Sequence, residues 1–205
     1  MRTLVIETAT AACSVALLEG GTVIAREHEV VGRGHAERLI PMIAGLCGQG
    51  RAERILVDVG PGSFTGVRVG LAAAKGLAIG WGAMVSGYSS TFLLAAAAFH
   101  RDPALATLAV VLEGGHGEVF MQSFTRPLSA RAPLQSLVPA AALAALDGPA
   151  FGSGVRHLLV PGSAQPLHDV LPDAADALLL PLPAASLAPR PIYGRAPDAK
   201  PMTQS

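Results

Sequence analysis

A chain of 205 residues that is 51% apolar is long enough to bury a core without disulfide staples, and its fifteen basic and fifteen acidic residues cancel. That balance argues against a protein that grips nucleic acid over its whole surface, although a local basic patch stays open. Two cysteines, Cys13 and Cys47, make neither a disulfide framework nor a CxxC zinc pair, so a reducing cytoplasmic setting is expected.

Near the N-terminus, Glu7 and nearby threonines interrupt the apolar run after Met1-Arg2, leaving it too short for a signal peptide. The most apolar window, Leu71 to Val85, carries Lys75 and falls short of the roughly 20 residues a spanning helix needs, so no membrane association is expected.

Three strands are predicted first, Arg2 to Glu7, Cys13 to Leu18 and Thr22 to Val31, with Gly20-Gly21 as the turn between the last two. Thr8 to Ala12 reads as a small hairpin turn. Gly34 to Cys47 follows as a helix presenting His35, Leu39, Met42 or Ile43, and Leu46 on one face and Ile40 on another, with Pro41 removing one hydrogen bond. His35 has Leu39 at i+4, so no paired-histidine metal site is expected.

Arg54 to Val59 is the next strand. It runs into Gly60-Pro61-Gly62-Ser63-Phe64-Thr65-Gly66, a strand-to-helix turn opening a helix that extends to about Gly80. Free N–H groups and the dipole at that helix start suit an anion. Ser63 or Thr65 suits the N-cap, and Arg68, placed against the dipole, suits a nearby carboxylate or phosphate. Within the helix, Gly66, Gly70, Ala73 and Gly76 recur at spacings of four and three. Each interior Gly costs about 1 kcal/mol relative to Ala, so the row implies another backbone packed closely on that face, within the chain or from a second protomer. On this reading, Gly70→Leu or Ala73→Arg blocks a partner and spares the monomer.

Ala83 to Gly87 reads as a short strand and Ser89 or Ser90 as the cap of an Ala-rich helix to about His100. Arg101-Asp102-Pro103 marks a boundary, giving an N-terminal lobe of residues 1–102 and a smaller, less regular C-terminal lobe of 103–205. Thr107 to Leu112 and Glu118 to Thr125 are strands joined by the Gly-rich connection Glu113 to Gly117. Fourteen of the sixteen prolines lie from Pro103 onward and leave room only for short elements: helices at Ala140 to Leu146 and Ala174 to Leu179, and a strand at Pro149 to Phe151. Arg195 to Ser205 reads as a frayed end.

The glycine turn lacks the GK[ST] ending of a P-loop, and Ser63 lacks both the GxSxG spacing and partners for a triad. Glu7 and Asp58, both at or near strand ends, are placed to converge on one cleft, where such carboxylates hold magnesium and phosphates in many α/β proteins; ordinary solvated strand ends are the alternative. One reading is therefore an independent nucleotide-binding enzyme using Glu7, Thr8, Gly60, Gly62, Ser63, Thr65 and Arg68.

Gly60 to Ala78, GPGSFTGVRVGLAAAKGLA, together with Gly34 to Ile43, GHAERLIPMI, resembles the TsaB (YeaZ) family of tRNA threonylcarbamoyladenosine biosynthesis proteins. Cys13 to Leu17, Gly117 to Phe120 and Pro191-Ile192-Tyr193 match as well; the likeness is firm over the first half and patchy from Arg126 to Pro189. The resemblance implies an actin-like (ASKHA, RNase H-like) two-lobed α/β fold with mixed sheets flanked by helices. It also implies a non-catalytic, cytoplasmic subunit that dimerises with a TsaD-like transferase acting on the adenosine 3′ of the tRNA anticodon. A TsaE-like ATPase joins the complex, tRNA is engaged indirectly, and the subunit forms a homodimer when alone. The implied partner face lies on the two helices and includes His35, Arg38, Leu39, Met42, Leu46, Gly66, Val67, Gly70, Leu71, Ala73, Ala74 and Leu77. No metal or cofactor is required, and any ATP, ADP or magnesium binding would be residual. Three features depart from the family pattern. Glu7 stands where Asp is usual, Glu113-Gly114-Gly115-His116 replaces Asp-Ala-Arg-Arg or Asp-Ala-Arg-His, and the link from Cys47 to Arg54 is short.

Overall fold

A computed structural model describes residues 1–159 and 165–194; the expected frayed end, 195–205, lies outside them. The first sheet has the order β3-β2-β1-β4-β5, built from β1 (Arg2–Glu7), β2 (Ala12–Glu19), β3 (Thr22–Val30), β4 (Arg54–Asp58) and β5 (Met84–Tyr88). β1, β2 and β3 pair antiparallel, while β1, β4 and β5 pair parallel. An unbroken apolar run suits a strand covered on both faces, and β1 sits in the middle of the sheet with Leu4 to Glu7 fully buried.

Side-chain alternation divides the strands between two cores. Leu4, Ile6, Ile55 and Val57 face α1 (His35–Gly45) and α2 (Phe64–Trp81), meeting Leu39, Met42, Ile43, Val67, Leu71 and Ala74. The helical period predicted this face of α1: His35, Leu39, Met42, Ile43 and Leu46 are buried and Ile40 is exposed. The helix continues through Pro41, supported by that packing. Val5, Leu56 and Tyr88 face the other way, toward α3 (Ser90–Arg101) and a 3-10 turn at Ala174–Leu179.

The opposite flank of α3, with Leu94, Ala98 and Phe99, packs on the second sheet through Leu108, Val110, Leu112 and Phe124. That sheet has the order β11-β10-β6-β7-β8, with β9 also on β7; its strands are β6 (Thr107–Gly115), β7 (Glu118–Thr125), β8 (Ser129–Ala130), β9 (Gln135–Leu137), β10 (Ala150–Phe151) and β11 (Leu167–His168). α4 (Pro139–Ala144) covers its outer face. The architecture is the α/β arrangement of mixed sheets flanked by helices that the sequence predicts. An Ala-rich α3 serves as the shared layer, because small side chains let both sheets approach it.

Ser63 caps α2 by accepting the Gly66 N–H at 3.2 Å. Ser89 occupies the N-cap position of α3, but its hydroxyl bonds Thr91 Oγ1 and not the helix N–H groups. The close approach implied by the glycine row is made inside the chain. A Cβ on Gly66 would strike the Thr8 carbonyl, and one on Gly70 would strike Thr8 Oγ1, whereas Gly76 has open space around it.

The row therefore divides into two functions with opposite mutational signs. Gly66→Ala is expected to lower stability by at least about 1 kcal/mol through overpacking. Gly76→Ala is expected to raise it by about 0.5–1 kcal/mol through helix propensity. Urea unfolding of the two variants checks both signs.

Candidate functional site

α2 is held at its inner face by the segment that follows β1. Thr8 Oγ1 donates to the Gly66 carbonyl at 2.8 Å, and Ser63 N–H donates to the Ala9 carbonyl at 2.6 Å. The outward stripe of α2 then carries Phe64, Arg68, Ala72, Gly76 and Ile79 at helical spacing, with Ile79 87% exposed. α1 lies on the same side of the sheet and adds Ile40, Pro41 and Ala44 to the exposed surface. A large β-branched residue in the open beside small residues leaves backbone close to the surface, a geometry that suits a packed helix from another chain.

Most residues assigned to a partner face from the sequence turn inward. His35, Leu39, Met42, Leu46, Gly66, Val67, Gly70, Leu71 and Ala74 are buried within this chain, Ala73 and Leu77 are half-buried, and Arg38 alone is exposed. Arg38 donates twice to Glu29 Oε2, at 2.9 and 2.6 Å, and His35 Nε2 lies 3.1 Å from the Ala12 carbonyl. A bulky residue at Gly70 would strike Thr8 and Val57, so Gly70→Leu perturbs the fold and is no selective probe of a partner. The residues actually presented outward, Ile40, Ala44, Ala72, Gly76 and Ile79, are those the inward periodicity leaves on the opposite arc.

A cleft of about 1210 Å³ opens beside the start of α2. Its walls include Ala9 to Ala11, Gly62, Ser63, Arg68, the connection from Glu113 to Glu118, and the C-terminal segment Pro191 to Gly194. That segment is fixed by Ile192 N–H donating to the Val59 carbonyl at 2.7 Å and by Gly194, which lies against the Phe120 ring with no room for a Cβ. Arg68 caps the cleft edge: its guanidinium sits 3.1 Å above the Phe64 ring centroid and donates to Tyr193 Oη at 2.7 Å. The carboxylate or phosphate expected near Arg68 is thus replaced by two aromatic rings and a phenol. Across the cleft, Glu113 Oε1 engages His157 Nε2 at 3.2 Å and Arg156 at 3.6 Å.

Of the residues read as an anion site, Gly62, Ser63 and Arg68 line this cleft, whereas Thr65 is exposed outside its lining and Gly60 is buried. Glu7 and Thr8 are fully buried and do not reach it, which corrects the expected ring of ligands. The parallel register that pairs Ile6 with Val57 and Asp58 with Tyr88 sets Glu7, Asp58 and Tyr88 in one row at the ends of β1, β4 and β5. Tyr88 Oη donates to Glu7 Oε2 at 3.1 Å, and Ala9 N–H donates to Glu7 Oε1 at 2.8 Å. Ser90 Oγ donates to Asp58 Oδ2 at 2.7 Å, and Gly60 N–H to Asp58 Oδ1 at 2.6 Å. The convergence of the two carboxyls agrees with their strand-end positions in the sequence; Ser90, expected as a cap of α3, bonds Asp58, and Tyr88 joins the row with no sequence signal beyond its place at the end of β5. Among the described residues, no group of three or more His, Cys, Asp or Glu side chains is arranged to hold a metal ion. No helix there is long and apolar enough to cross a membrane.

The sequence model of the family described as TsaD, tRNA N6-adenosine threonylcarbamoyltransferase, matches residues 22–144. The tRNA threonylcarbamoyladenosine biosynthesis protein TsaB of Escherichia coli is 38% identical over 133 residues, covering 62% of this chain and 56% of that protein. Its namesake from Haemophilus influenzae is 37% identical over 131 residues, with 60% and 53% covered. The chain thus spans about half the length of the curated relatives it matches. Among solved structures, YeaZ from Pseudomonas aeruginosa superposes with a TM-score of 0.78 at 27% identity, covering 94% of this chain and 99% of that one.

The Arg68 stack is the contact that fixes Tyr193 over the helix start. Arg68→Ala is expected to speed chymotryptic cleavage after Tyr193 while shifting global stability by no more than about 0.5 kcal/mol, as for an exposed position. Digestion time courses beside denaturation curves separate those effects.

Proposed function

The chain belongs to the TsaB (YeaZ) family, and on that premise we propose that it is a non-catalytic subunit of a tRNA threonylcarbamoyladenosine synthesis complex, working by docking and activating a TsaD-like transferase. The observation that carries this reading is the uncovered outer face of α1 and α2, where Ile79 is 87% and Ile40 48% exposed among Ala44, Ala72 and Gly76. Burying such side chains contributes roughly 1.5–3 kcal/mol each, and the small residues between them admit a partner helix at close range. The match of the family model to residues 22–144 supports a partner of related fold, since a subunit resembling its partner can present a self-similar face. On this reading the same face closes a homodimer when the partner is absent, a TsaE-like ATPase joins the assembled pair in the cytoplasm, and tRNA is engaged through the partner.

The chemistry is assigned to the partner because the titratable groups here are committed to structure. Glu7 and Asp58 are sealed under α3, and Arg68 is spent on two aromatic rings. Ser63 caps a helix.

Ile79→Arg and Ala72→Arg place a charge on the face without touching the core. Each is expected to cost about 2 kcal/mol of association, roughly 30-fold in Kd for the TsaD-like protein of the same organism. Monomer stability should stay within about 0.5 kcal/mol. Native mass spectrometry of the coexpressed pair reads the first effect, and nucleoside analysis of tRNA from cells lacking this chain reads its consequence. Undiminished complex with both variants, or modification that continues without the chain, would overturn the proposal.

A further inference from the structure

The row formed by Glu7, Asp58 and Tyr88 is left unused by a docking role, yet it is among the most buried polar groupings in the molecule. Both carboxyls are 0% exposed and stand side by side at the ends of the adjacent parallel strands β1 and β4, just past the Ile6–Val57 pair. Neither has a cationic partner among the described residues. Two adjacent carboxylates sealed from water cannot both stay ionised, because desolvation and mutual repulsion act in the same direction. One proton between them relieves both.

The surrounding donors decide where that proton resides. Asp58 accepts from Gly60 N–H at 2.6 Å and from Ser90 Oγ at 2.7 Å, and it sits at the N-terminus of α3, where the helix dipole favours an anion. Among the described residues Glu7 accepts from Ala9 N–H at 2.8 Å and Tyr88 Oη at 3.1 Å, both longer than the bonds to Asp58. Asp58 is therefore the ionised member and Glu7 the acid that donates to it. We infer that Glu7 and Asp58 form a proton-sharing clamp tying the ends of β1 and β4 to the start of α3, and that this corner takes a proton in place of the cation that strand-end carboxylates beside a glycine turn otherwise suit. A magnesium ion does not fit here: the carboxylate oxygens are filled by donors of the chain itself, and neither Glu7 nor Asp58 lines the cleft.

The clamp has consequences for the surface of the protein. Glu7 fixes Ala9, whose carbonyl holds Ser63 at the cap of α2, and Asp58 fixes Gly60 at the head of the same turn. Ionising Glu7 would place two buried negative charges under the start of α3, beside the turn that seats α2. Burial first and Asp58 second raise the Glu7 titration well above the usual carboxylate range. Folding thus retains a proton that the unfolded chain releases. This contribution is complete below the unfolded value, near pH 4.3, and is lost as pH rises through the folded value. The other titratable groups near the pair are Tyr88 from β5, Asp173 beyond it and, on the opposite face of the sheet, Cys13 from β2; burial pushes Cys13 to about 11 and Tyr88 upward.

The test uses the full chain and the variant Glu7→Gln, whose amide N–H can still donate to Asp58 while Tyr88 keeps its bond to the Ile6 carbonyl. The wild type should show a thermal midpoint that falls as pH rises above the usual carboxylate range, and the variant a flatter profile, the difference isolating Glu7 from other groups. Infrared spectroscopy of the wild type at neutral pH should show a protonated-carboxyl band that weakens as pH rises; this measurement stands alone if the variant fails to fold. Parallel profiles, absence of the band, or stabilisation by magnesium ions or Mg-ATP that Glu7→Gln abolishes would each overturn the inference.

Discussion

The close contact between the backbone of Thr8-Ala9 and the start of α2 is the constraint on which the rest of the molecule depends. Gly62, Gly66 and Gly70 carry no side chain because the carbonyls of Ala9 and Thr8 and the Thr8 hydroxyl occupy the space a Cβ would need. That contact brings α2 down onto β1 and β4, and burial of Val67, Leu71 and Ala74 follows from it. With the inner face committed, the outer arc is left to Phe64, Arg68, Ala72, Gly76 and Ile79. A surface available to another subunit is thus a product of how tightly the helix is seated within its own.

The same turn links three features that are distant in sequence. Gly60 is held by Asp58 below it, its carbonyl accepts from Ser90 N–H at the head of α3, and Val59 receives Ile192 from the C-terminal segment. Through Tyr193 that segment reaches Arg68 on α2, and through Gly194 it touches Phe120 of the second sheet. The glycine turn that looks in sequence like an anion cradle acts as a junction where both sheets, α2 and α3 are registered. Its backbone groups are largely consumed by that role.

How much of this was legible in the sequence depends on the range of each signal. β1 was found because a run of apolar residues suffices to mark a doubly covered strand, and α1 because its period-3.6 face is local. Ser63 as a cap is equally local. The need of Gly66 and Gly70 for a close neighbour was also legible, but the neighbour is Thr8, far upstream, and nothing local in sequence points to it. Gly76 shared their spacing while facing solvent, so one periodic row covered two physical situations. The short strands β8 and β11 had no periodic signal to give, since two residues cannot display alternation.

Glu7 and Asp58 show why a polar residue at a strand end is ambiguous until its neighbours are known. Convergence of two carboxylates is compatible with a cation, with water or with a proton, and charge pattern alone does not choose. The choice is made by Tyr88 and Ser90, which close the site with donors, and by Ala-rich α3, which lets the sheet approach closely enough to exclude solvent. An open corner with a cationic partner would keep both carboxyls ionised and hold a metal; a sealed one without such a partner must take up a proton. The helix that joins the two sheets therefore also determines the chemistry of the carboxyl pair beneath it.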